Sequence, residues 1–98
     1  MIKKITWSPL SEKDFSNILE YLDLNWGSSV IEKYINRVDS LLNQIKLNPK
    51  QYPLINKRKK VRRCVITKHN SLYYRINKYS IDLLRIYSNF QNPQKLKL

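Results

Sequence analysis

The sequence predicts an α+β fold of order β-α-α-β-β-β, a helical hairpin packed on one face of a small antiparallel sheet. Two long stripes of apolar residues at helical spacing fill residues 9–47, separated only by Gly27. Three strand-like runs, divided by short polar turns, fill residues 61–87. With 98 residues, 42% of them hydrophobic, the chain suits a single domain spanning 1–98 with one buried core.

Each element follows from local chemistry. Residues 2–7, Ile-Lys-Lys-Ile-Thr-Trp, read as a short strand bounded by Ser8-Pro9. Ser8 suits a helix N-cap, and Pro9 suits the first helical position, where a missing N–H costs nothing. Phe15, Ile18, Leu19, Leu22 and Trp26 then recur on one helical face over Pro9–Asn25. Gly27 stands where that helix stops.

Ser29 with Glu32 forms a capping-box pattern, which predicts a second helix over Ser29–Leu47. Its stripe is Ile31, Tyr34, Ile35, Val38, Leu41, Leu42 and Ile45, and Asn48-Pro49 ends it. Residues 49–60 read as a loop. Strands are expected over Val61–Thr67, Leu72–Asn77 and Ser80–Tyr87, with turns at 68–71 and near Lys78-Tyr79. In the middle strand Leu72, Tyr74 and Ile76 share one face, and Tyr73 and Arg75 the other.

Charge divides the chain. Residues 1–45 carry five Lys/Arg and six Asp/Glu; residues 46–98 carry fourteen Lys/Arg and the single acid Asp82. The net +12 therefore lies wholly in the second half, densest at Lys57-Arg58-Lys59-Lys60-Val61-Arg62-Arg63. Folding does not need such a charge, and self-repulsion opposes it, so it points to a polyanionic partner.

The lone Cys64 excludes an intramolecular disulfide and a cysteine-based metal site, and fits a reducing, cytoplasmic setting. The N-terminal residues lack the apolar stretch of a secretory signal. No segment approaches the roughly 20 apolar residues of a membrane span. The expectation is a cytoplasmic protein with no membrane partner, no metal and no cofactor.

The order of elements, with particular residues, resembles the RelE/ParE superfamily of bacterial type II toxin–antitoxin toxins. The residues that carry the likeness begin with Trp7-Ser8-Pro9, Tyr21-Leu22, Trp26-Gly27 and Pro49. They continue with Val61-Arg62-Arg63, Leu72-Tyr73-Tyr74-Arg75-Ile76, Leu84-Arg85-Ile86 and Gln91-Asn92-Pro93.

The resemblance implies a cognate antitoxin, held in a hetero-oligomer, whose disordered and often acidic segment folds along the toxin. It also implies one of two targets. RelE-like members cut messenger RNA in the ribosomal A site without a metal. ParE-like members poison DNA gyrase and lack the nuclease residues.

Metal-free RNA cleavage needs activation of the 2′-hydroxyl, charge stabilisation at the phosphate and an acid for the leaving oxygen. The candidate catalytic residues are Arg62, Arg63, Arg75, Arg85 and Tyr87. Lys57, Arg58, Lys59, Lys60 and Tyr73 are candidates for binding nucleic acid or the target. Ser88–Leu98 contains no Arg, His or Tyr, and Phe90 stands where many relatives have arginine. These departures favour the ParE-like branch.

A non-catalytic basic nucleic-acid-binding module and an inactive toxin that keeps only antitoxin binding are the alternatives. His69 falls in a predicted turn, where a surface role is expected. Tyr34, Tyr74 and Cys64 are expected in the core. Among the tyrosines, Tyr73 and Tyr87 are the better candidates for an exposed face. With only Asp82 in the basic half, acidic partners for Arg75 and Arg85 look scarce. Arg62 and Arg63 must face opposite sides of a regular strand, and the apolar residues that follow do not say which faces out.

Overall fold

A computed structural model describes residues 3–92, 95, 96 and 98. Strand β1 (Lys4–Trp7) leads into helix α1 (Pro9–Asn25) and helix α2 (Ser28–Leu47). Strands β2 (Leu54–Asn56), β3 (Val61–Val65), β4 (Asn70–Ile76) and β5 (Ser80–Ser88) follow. The α+β architecture is as expected, although Ile2 and Pro93, which belong to the sequence patterns above, lie outside the described residues.

The sheet order is β1-β5-β4-β3-β2. It is mixed rather than wholly antiparallel: β1 runs parallel to β5, and the β5-β4-β3-β2 meander is antiparallel. The two-helix connection makes this possible, because it lets β1 return to the far side of the meander in parallel sense. Strand β2 falls inside the segment expected to be loop. It has three residues and pairs only with the start of β3, too short a run to show alternation.

The start of α1 is built as its sequence suggests. Ser8 Oγ accepts the Ser11 N–H at 3.0 Å, and Pro9 opens the helix. Substituting such a cap typically costs about 1 kcal/mol. The α2 start differs from the expectation. Gly27 is the N-cap, with φ +97°, and no side chain caps the helix, so Ser29 and Glu32 form no capping box. The connection is so short that the backbone must turn through left-handed space at residue 27, and glycine alone enters it without a Cβ penalty.

The core lies between the helices and one sheet face. Tyr34, Val38, Leu41 and Ile45 of α2 meet Cys64, Ile66, Leu72, Tyr74, Ile81, Leu83 and Ile86. Phe15, Ile18, Leu19 and Leu22 of α1 pack against this cluster. Trp26 does not: it is the residue just past the end of α1 and is 68% exposed.

A bulge organises β5. Tyr73 pairs with Arg85 while Tyr74 pairs with Leu83, leaving Leu84 as the extra residue. The bulge shifts the alternation, so Ile81, Leu83 and Ile86 all reach the core although their numbers differ in parity.

Two core tyrosines use their hydroxyls as donors: Tyr34 to Asn70 Oδ1 at 2.9 Å and Tyr74 to the Pro49 carbonyl at 2.6 Å. Burial pushes both phenols well above their ordinary value near 10, the Asn70 and Arg62 interactions only partly opposing it. The folded state thus prefers the neutral phenol. This contribution to stability is complete below about pH 10 and is lost as pH rises through the folded values. Melting temperature should fall between about pH 10 and 11, and fall less in Tyr34→Phe and Tyr74→Phe. A wild-type profile no steeper than that of the two variants would contradict the assignment.

Candidate functional site

The face of the sheet turned away from the helices is set by strand register. Three cross-strand rows occupy it: Val61–Arg75–Asp82, Arg63–Tyr73–Arg85 and Val65–Ser71–Tyr87. Arg63 and Arg75 therefore belong to this open face. Arg62 belongs to the helix side, where its guanidinium Nη1 donates to the carbonyls of Lys50 (3.1 Å) and Tyr52 (2.7 Å). That ties down the loop after α2 and removes Arg62 from the candidate surface.

Arg85 is also committed within the fold. Its Nε and Nη2 donate to Asp14 of α1 at 2.7 and 3.0 Å, which makes a bidentate ion pair. Asp14 Oδ2 accepts the Ile86 N–H as well, at 3.0 Å, just beyond the β1 pairing with β5. The carboxylate holds the guanidinium pKa above its usual value. The acidic partner comes from the first half of the chain, 71 residues away, and not from the sparse acids of the second.

Arg63 and Arg75 are different. Each has a buried Nε–H without an acceptor. Arg63 Nη2 donates to Asn89 Oδ1 at 3.0 Å, and its acceptor is neutral. Among the described residues the Arg85–Asp14 pair is the one salt bridge. Among the described residues neither guanidinium is ion-paired with a carboxylate, although Asp82 stands opposite Arg75 in the strand register, and their positive charge suits an anionic group.

Tyr73 shares that face, but the candidate binding residue is only 1% exposed, so its ring is not available for contact. Its ring lies edge-on to Tyr87, 6.5 Å between centroids, and Arg85 stacks over Tyr87 at 5.8 Å. Tyr87 is half-buried and remains at the rim.

Lys57, Arg58, Lys59 and Lys60 form an exposed turn between β2 and β3. Asn56 Oδ1 accepts the Lys59 N–H, and Lys60 adopts φ +59°, so the turn is tight and presents its cations outward. Lys59 Nζ donates to the Leu98 carbonyl at 2.9 Å.

A second surface was not expected from the sequence. Between the helical hairpin and the β3–β4 turn lies an apolar groove of about 710 Å³. Ile18, Tyr21, Leu22, Trp26, Val30 and Tyr34 supply its apolar wall, and Phe90 closes one end. Tyr21, Trp26 and Phe90 are 60%, 68% and 76% exposed. Lys33 and Arg37 line the same groove from α2. His69 stands there too, its ring 5.9 Å from Phe90, so it has the surface position its turn predicts. The signal for this groove was present in Tyr21, late in α1, and Trp26, the residue that caps its end.

Cys64 is buried, and burial raises its thiol pKa despite an opposing Tyr52 contact. No group of His, Cys, Asp and Glu among the described residues could hold a metal. No described helix is long and apolar enough to cross a membrane.

A helical hairpin on a five-stranded mixed sheet defines a small α+β domain, and solved structures share this fold. The chromosomal ParDE TA system from P. aeruginosa superposes with a TM-score of 0.74 at 16% identity, over 89% of this chain and 96% of that one. The YoeB dimer from Staphylococcus aureus gives 0.66 at 18% identity, over 92% and 100% of the two chains. The E. coli DinJ–YafQ toxin–antitoxin complex gives 0.62 at 15%, over 93% and 100%.

Residues 5–93 match the family described as the ParE toxin of type II toxin-antitoxin system, parDE. The chain belongs to this ParE toxin family, within the RelE/ParE superfamily of type II toxins. No curated protein sequence matches it.

Proposed function

We propose that this toxin arrests growth by binding DNA gyrase rather than by cutting messenger RNA, and that an acidic antitoxin segment neutralises it. Both events belong to the cytoplasm. The observation that carries the choice of target is the company kept by the open-face arginines. Among the described residues neither Arg63 nor Arg75 is hydrogen-bonded to a carboxylate, an imidazole or a phenol. Arg85 is held by Asp14, Arg62 by the loop, and His69 stands on the groove side. Two arginines on this face without an ion-paired carboxylate can attract an anionic surface, whereas in-line RNA cleavage also needs a base and an acid hydrogen-bonded into the same set.

Charge supports the antitoxin reading. The groove is apolar with Lys33 and Arg37 on its wall, on a chain of net +12. A helical segment with one apolar and one acidic face fits it, and a second copy of this basic chain would be repelled.

Purified toxin added to gyrase and relaxed plasmid should block supercoiling and accumulate enzyme-linked DNA breaks. In cells, brief induction should arrest growth without new messenger RNA ends. Ends phased with codons on translated messages would overturn the gyrase reading in favour of ribosome-dependent cleavage. Salt-dependent RNA binding without growth arrest would favour a harmless nucleic-acid-binding module.

A further inference from the structure

Asn89 stands where the groove meets the open face. Its side chain is fully used: Oδ1 accepts from Arg63 Nη2 at 3.0 Å and from Ser71 Oγ at 2.6 Å. Nδ2 donates to the carbonyls of Thr67 (3.0 Å) and Lys68 (3.2 Å). The amide orientation is unambiguous, because a guanidinium can only donate and a carbonyl can only accept. Its backbone N–H adds a bond to the His69 carbonyl at 2.9 Å.

The same short segments form the end of the groove. Thr67 and His69 line it from the β3–β4 turn, and Ser88 and Phe90 line it from the residues flanking Asn89. One side of this junction is thus groove wall, and the other is the fixed end of Arg63. Phe90 leaves most of its ring to solvent and sits one residue from the clamp.

We infer that Asn89 is a positioning residue that couples the two surfaces, so that filling the groove shifts Arg63 on the open face. An apolar occupant buries the Phe90 ring and displaces it. The adjoining backbone moves with it, and the Asn89 amide cannot keep all four partners when the turn and the 88–90 segment separate. Arg63 is the partner on the far side, and losing the Asn89 acceptor frees the guanidinium to reorient. The antitoxin would then disable the target face without covering it. This rests on the groove and face readings proposed above.

The test uses the full chain, labelled with nitrogen-15, and two side-chain signals in one spectrum. These are the Trp26 indole N–H for the groove and the Arg63 Nε–H for the face, assigned with Trp26→Phe and Arg63→Lys. The probe is an acidic amphipathic peptide about 18 residues long, five helical turns, with leucines on one face. At saturation both signals should move in the wild type. In Asn89→Ala the Trp26 shift should persist and the Arg63 shift should be lost. Asn89→Asp keeps the acceptor for Arg63 and removes the donor to the turn. It should restore the resting Arg63 signal without restoring its response.

A Trp26 shift with an unmoved Arg63 in the wild type would overturn the coupling and leave the groove reading intact. An Arg63 shift of equal size in Asn89→Ala would also overturn it, since the acidic peptide would then be reaching the basic face directly. No Trp26 response would overturn the groove reading and the coupling with it. If Asn89→Ala does not fold, the wild-type titration and Asn89→Asp still decide.

Discussion

Replacing Asp14 with alanine is expected to destabilise the fold by about 3 kcal/mol. The carboxylate accepts two bonds from Arg85 and one from the Ile86 N–H, and its side chain is only 15% exposed. Removing it leaves a half-buried guanidinium and a strand-edge N–H without acceptors at once. Breaking a buried pair by deleting one partner costs about 3–5 kcal/mol, and partial exposure places this one at the lower end. For a chain of this size the melting temperature should fall by at least about 10 °C. Asp14→Asn keeps one acceptor for the Ile86 N–H and should lose about half as much. A melting temperature within about 2 °C of wild type in Asp14→Ala would show that the pair contributes nothing to the fold.

Converting both open-face arginines to glutamine should remove toxicity while leaving the fold intact. Arg63→Gln and Arg75→Gln keep a hydrogen-bond donor and similar bulk but remove the two charges that have no carboxylate partner. At about 1.4–2 kcal/mol each, the pair should weaken target binding by about 100-fold or more. The readout is growth after induction, set against soluble yield and melting temperature. The matching change at Arg85 should act through stability instead, because that side chain is already held by Asp14. Full growth arrest from a folded Arg63→Gln/Arg75→Gln chain would remove the open face from the mechanism.

Most of the fold was legible because its signals are local. Pro9 after Ser8 marks the start of α1 through the cap it makes, and the α2 stripe from Tyr34 to Ile45 marks the buried side of that helix. The three later strands stand where their apolar runs and polar turns place them, within about two residues at each end. The candidate site was less legible. Of the five residues singled out for chemistry, Arg62 donates to the loop after α2 and Arg85 to Asp14, and Tyr73, singled out for binding, is buried on its face of the sheet.

The reason is the range of the interactions involved. Strand alternation says that Arg62 and Arg63 oppose each other, but only the packed helices say which side is filled. The bulge at Leu84 reverses the parity of β5, so Arg85 and Ile86 cannot be placed by counting. The groove needs α1, α2 and the β3–β4 turn together, and Asn89 meets its partners 18 to 26 residues back along the chain.

By itself the sequence determined the helices, four of the five strands, the charge asymmetry and the family resemblance, since these rest on spacing, capping and composition within short windows. The tertiary structure alone decided which arginines are ion-paired or tied to the loop and where the apolar groove lies. It also decided that the two surfaces share one amide. Each of these depends on groups brought together from distant parts of the chain, where burial and hydrogen-bond supply are set only once the whole sheet has closed on its helices.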